Sequence, residues 1–87
     1  MLSLPEIRRR GRAAKALAAE LRARGRYVSQ AGAWMWAAPA RHSPGHEIGV
    51  DRDGFVWRKG GSVFRPAFAP VDDIPHAADM VEKESGS

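Results

Sequence analysis

Between His46 and Arg65 bulky apolar residues alternate with polar or small ones, and two dipeptides, Asp53-Gly54 and Gly60-Gly61, punctuate the run. Such dipeptides favour two-residue hairpin turns because they tolerate the positive φ that those turns need. A two-residue turn also fixes register. With the first turn at Asp53-Gly54, Arg52 pairs with Phe55 and Val50 with Trp57; with the second at Gly60-Gly61, Lys59 pairs with Ser62 and Trp57 with Phe64. Side chains alternate along a strand, so Ile48, Val50, Phe55, Trp57 and Phe64 fall on one face. Gly49, Asp51, Val56, Arg58, Val63 and Arg65 fall on the other. Turn chemistry and alternation are separate signals that sort the residues in the same way. Strands are predicted over 47–52, 55–59 and 62–65.

Upstream, Ser3-Leu4-Pro5-Glu6 has the spacing of a capping box, in which the Ser3 hydroxyl accepts from the Glu6 amide and the Glu6 carboxylate reaches back. Pro5 suits a first helical turn. Ile7, Gly11, Ala14, Ala18 and Leu21 recur at steps of four and three, with Leu17 beside them, which predicts an amphipathic helix over 4–24. Gly25 is placed to end it in the left-handed conformation. Residues 27–38 admit two readings. As a strand, Trp34 and Trp36 share one face while Ala33, Met35 and Ala37 share the other; as a helix, Ser29 is the N-cap and Pro39 the stop. Paired tryptophans at a spacing of two favour a strand over 33–38. Residues 39–46 are turn-rich. After Pro66 and Pro70, Asp73 is suited to cap a short helix over 75–83, followed by a frayed tail over 84–87. The expected class is α+β in one small domain spanning 1–87: an N-terminal amphipathic helix packed on a three- to four-stranded antiparallel β-meander, closed by a short C-terminal helix or arm.

A chain of 87 residues without cysteine has neither disulfides nor Cys-based zinc to brace its modest core. No apolar run approaches the roughly 20 residues of a membrane span, so a soluble, cytoplasmic protein with no membrane partner is expected. The net charge of +4 is unevenly placed: residues 1–26 carry eight positives and two negatives, residues 27–65 five and three, and residues 66–87 one and five. A basic end of this kind suggests an anionic partner, unless the acidic end folds back on it.

Arg8, Lys15 and Arg22 stand a heptad apart on the predicted helix, with Arg12 close by, forming a row about 21 Å long at the usual rise per residue. Such a row can track phosphates and release counterions; the ordinary alternative is a solvated outer face. Arg58 and Arg65 are neighbours on the sheet face opposite the helix, where guanidinium groups can meet nucleic acid. Trp34 and Trp36 are candidate partner-contact aromatics, since tryptophan is enriched in binding hot spots and stacks on bases; the alternative is that they complete a small core.

His42 and His46 have helical metal-ligand spacing, but Pro44 and Gly45 lie between them and would break a helix, leaving only a loop site with Glu47. Asp51-Arg52-Asp53-Gly54 lacks the later ligands of a calcium loop. No metal and no cofactor are expected. Neither a nucleophile elbow, nor a phosphate loop, nor an assignable Ser/His/carboxylate set occurs, so no enzyme is expected. The leading expectation is a small non-catalytic, nucleic-acid-associated accessory or regulatory factor, of a size common among phages and mobile elements. The alternative is a stoichiometric protein-binding inhibitor or adaptor, such as a phage-encoded antagonist of a host defence complex, acting by occlusion on an acidic protein surface. An unpaired edge strand would allow a homodimer.

Overall fold

A computed structural model describes residues 3–58 and 67–84. Helix α1 runs over Leu4–Ala23. Ser3 caps it, its hydroxyl accepting from the Glu6 amide at 3.3 Å. The Glu6 carboxylate does not reach back. It accepts instead from Arg10 Nε at 3.0 Å and Arg9 Nη1 at 3.4 Å, because charged donors one turn ahead are stronger partners than a neutral amide. Gly25, at φ +84°, turns the chain out of the helix, and its N–H donates to the Arg22 carbonyl at 3.0 Å.

The buried stripe of α1 is Ala13, Ala14, Leu17, Ala18 and Leu21. The expected stripe began at Ile7, but Ile7 is 51% exposed and Leu4 61%. The reason is length. A helix of 20 residues spans about 30 Å, whereas strands of five or six residues span about 17–20 Å. The first turns of α1 therefore have no sheet beneath them, and Arg10 takes the last inward-facing position.

Four strands follow, β1 (Tyr27–Ala31), β2 (Trp34–Ala38), β3 (His46–Asp51) and β4 (Gly54–Arg58), in the order β1-β2-β3-β4 with every neighbour antiparallel. The helical reading of 27–38 is thereby replaced by a hairpin. Ala31 pairs with Trp34 across Gly32-Ala33, and Gly32 supplies the positive φ of +58°. In the β3–β4 hairpin Asp51 pairs with Gly54, Val50 with Phe55 and Ile48 with Trp57. The expected pairs Arg52–Phe55 and Val50–Trp57 are not formed, because the turn residues are Arg52 and Asp53. A turn at Asp53-Gly54 would require positive φ at Asp53, and among the described residues only glycines adopt it. Each strand keeps its parity under this slip, so every side chain stays on the face assigned to it.

Gly54, at φ +137°, lies against the backbone of Ala69, where a Cβ would overlap the carbonyl oxygen. Phe55 donates to that carbonyl at 2.9 Å and accepts from Phe68 N at 2.8 Å, so the segment after residue 66 covers the outer edge of β4 at this point. The predicted strand 62–65 and its turn at Gly60-Gly61, with Val63, Phe64 and Arg65, lie outside the described residues.

Helix α2 covers Ile74–Glu84. Asp73 caps it, its carboxylate accepting from His76 N at 3.3 Å and its carbonyl from Ala77 N at 3.0 Å. Ala77, Ala78 and Val81 are buried against α1. The core lies between α1 and the sheet face carrying Val28, Met35, Ala37, Ile48, Val50 and Phe55. Trp57 joins it half-buried, stacked on Phe68 with centroids 4.2 Å apart, and faces Ile48 across the ladder. The molecule is thus α+β, with an antiparallel sheet backed by helices. Among the described residues no helix is long and apolar enough to cross a membrane.

Candidate binding surfaces

Ion pairing divides the cations of α1 into two groups. At its C-terminal end Arg24 donates to Glu20 at 2.8 Å and to Asp79 and Glu82 of α2 at 2.6 and 3.1 Å. Arg26 lies 3.5 Å from Glu82. The Asp79 contact is the chief cause that raises the Arg24 guanidinium further above its ordinary range. The acidic end of the chain thus folds back on the C-terminal end of the basic helix. Arg9 and Arg10 share Glu6, and Arg10 also approaches Asp51 at 4.0 Å.

Arg8, Arg12 and Lys15 are exposed and line a shallow groove with Gly11. Among the described residues none of the three has an ion pair or a side-chain hydrogen bond. They stand within two turns, about 10 Å of helix, on the outer side of α1, away from the buried stripe and from Arg24. Arg22 continues that side, but its Nη2 donates to the Val28 carbonyl at 3.1 Å and ties the helix to β1. The free row is therefore three cations long rather than four. Beside it stand the exposed side chains of Leu4 and Ile7.

The sheet face turned away from the helices carries Trp34 and Trp36 of β2, Tyr27 of β1 and Val56 and Arg58 of β4 in register. Both indoles are half-buried, but their surroundings differ. Trp36 meets the Tyr27 ring edge-on at 6.5 Å. It also lies under the 39–45 loop, where Gly45 packs so closely that a Cβ would be 2.5 Å from the indole Cζ2. Trp34 has no ring neighbour among the described residues. It borders a hollow of about 390 Å³ at the end of the sheet, lined also by Arg10, Gly49, Asp51, Val56 and Arg58.

Gly49 gives the hollow its floor. The Arg58 side chain lies across it, so close that a Cβ on Gly49 would stand 2.9 Å from Arg58 Cδ. Val56, beside Gly49 on the same outer face, is only 5% exposed. Glu47 is the cross-strand partner of Arg58, yet the two form no ion pair. Among the described residues Arg58 Nε is buried without a hydrogen-bond acceptor, a situation that costs on the order of 1–3 kcal/mol. Of the expected sheet pair Arg58 and Arg65, Arg65 lies outside the described residues.

Pattern reading missed Arg10 as a lining residue because its position fits a surface cation, and missed Gly49 because a glycine in a strand signals only close approach. His42 is exposed, and His46 packs edge-on against Trp57 at 5.6 Å on the helix side of the sheet. No three metal-ligating side chains converge among the described residues. Comparison with protein families, with curated proteins and with solved structures finds no match.

Proposed function

We propose that this chain is a small non-catalytic binding protein that associates with nucleic acid through the Arg8/Arg12/Lys15 flank of α1. The observation carrying this reading is the unequal neutralisation of the helix. Glu6, Glu20, Asp79 and Glu82 engage Arg9, Arg10, Arg24 and Arg26, while three aligned, exposed cations have no counter-charge among the described residues. Exposed cations spaced along a rigid rod neutralise successive phosphates and release condensed counterions, which supplies affinity without sequence selectivity. Charge reversal tests this directly. Arg8→Glu, Arg12→Glu and Lys15→Glu together abolish binding to a random-sequence oligonucleotide at low salt, whereas Arg24→Ala and Arg26→Ala leave it nearly unchanged. Binding that survives the triple reversal removes the flank as the contact.

A second reading has one observation of its own. Leu4 and Ile7, both more than half exposed, stand beside the same cations, and apolar side chains next to unpaired arginines also suit an acidic protein surface. Under that reading Leu4→Ser with Ile7→Ser weakens partner binding as much as the charge reversal does. Under the nucleic-acid reading the serine variants bind oligonucleotides normally.

A further inference from the structure

The hollow at the end of the sheet is separate from the cationic flank, and its chemistry is more particular. Three features meet there. Trp34 offers an indole with no ring neighbour among the described residues, although Trp36 and Trp57 each pack against other rings. Arg58 lies across Gly49 and, among the described residues, has no ion pair and keeps a buried Nε–H without an acceptor. Arg10, only 16% exposed at its side chain and paired with Glu6, brings a second guanidinium to the rim beside Asp51. A free π-face, an unsatisfied donor and the positive charge of Arg58 together suit a planar aromatic group attached to an anion. A solvent-filled surface dimple gives no reason to bury an arginine nitrogen without a partner.

We infer that the Trp34–Arg58 hollow is a nucleotide subsite for single-stranded nucleic acid, with an unpaired base stacked on the Trp34 indole and its phosphate on Arg58. In duplex DNA each base is stacked and paired within the helix, so its faces cannot reach a recessed indole; an unpaired base can. This inference rests on the nucleic-acid reading above and narrows its substrate to the single-stranded form. The flank contributes phosphate contacts of either form, and the hollow distinguishes them.

The test compares a short oligothymidylate with a random-sequence duplex of equal length, each titrated at low salt against the full chain and its variants. Trp34→Ala and Arg58→Ala each weaken oligothymidylate binding about tenfold or more, the scale of one stacked base, and leave duplex binding unchanged. Gly49→Ala keeps both side chains but displaces Arg58, so it gives a smaller loss on the single strand alone. Trp34→Phe, which keeps an aromatic face, retains most of the affinity and guards against a folding defect. Circular dichroism of each variant confirms the fold. Single-strand binding unaffected by Trp34→Ala, Arg58→Ala and Gly49→Ala overturns the subsite while leaving the flank reading intact. If neither form binds at all, both fall together.

Discussion

Gly54 shows how closely the local chemistry is determined. Its φ of +137° lies outside the range of ordinary L-residues, and a Cβ there would overlap the Ala69 carbonyl. Gly54→Ala should therefore destabilise the chain by about 1–3 kcal/mol, from backbone strain alone, measured as a lower urea midpoint. A neutral substitution would mean that Ala69 does not close on β4 as described. Glu6 gives a pH signature. The Arg10 hydrogen bond, opposed in part by desolvation, holds its carboxyl below the ordinary value of 4.5. A carboxyl that is more acidic folded than unfolded contributes fully above about 4.5 and loses that contribution as pH falls through its folded value. The urea midpoint of the unaltered chain should accordingly fall more steeply below pH 4.5 than that of Glu6→Gln; parallel curves would contradict the pairing. At this scale the sequence was only partly readable. The Ser3 cap and the Gly25 exit follow from residue type. The partner of Glu6 does not, because Ser3 and Arg10 compete for the same carboxylate and only geometry decides between them.

Among the elements, α1 makes a contrast that can be tested. Ile48 is fully buried and Ile7 is half exposed, although both occupy apolar positions of their patterns. Ile48→Val should cost roughly 0.5–1.5 kcal/mol, and Ile7→Val close to nothing. Equal costs would show that the first turns of α1 are packed after all. Docking of α2 depends on Ala77, Ala78 and Val81 together with the Arg24 network. Arg24→Ala should reduce amide-exchange protection in α2 while leaving β2 and β3 protected. A uniform loss across the sheet would mean that the helices and the sheet unfold as one unit. Both helices and the β3–β4 pair were readable from caps, periodicity and alternation. β1 was not, because Tyr27-Val28-Ser29-Gln30-Ala31 has a single buried apolar residue, and its strand character comes from pairing with β2. The hairpin register was misplaced by one residue on each side, since Asp-Gly identifies a turn without saying whether glycine sits in the loop or at the start of the returning strand.

At the scale of the molecule, acids and bases are distributed so that α2 and Glu20 neutralise the C-terminal end of α1 and Glu6 holds Arg9 and Arg10, while Arg8, Arg12 and Lys15 have no ion pair among the described residues. The basic row was visible in the sequence, but its division was not, because the α2 partners of Arg24 lie 55 and 58 positions away. The same limit applies to the hollow, whose lining comes from α1, β2, β3 and β4. Trp34, Trp36 and Arg58 were each legible as candidates, and the ladder brings them to one face. That Trp36 packs beneath a loop while Trp34 stays open is decided by Gly45 and the 39–45 loop.

Salt dependence of binding is the sharpest probe of phosphate contact by α1. Fluorescence titration of the full chain with a random-sequence duplex across a series of salt concentrations should give log K falling linearly with log salt. The expected slope is roughly −2 to −3, from about 0.9 per neutralised phosphate and the three free cations of α1. In the Arg8→Glu, Arg12→Glu, Lys15→Glu variant that binding should vanish. A slope near zero, or no binding at low salt, would contradict the assignment of α1 as a phosphate-contacting helix.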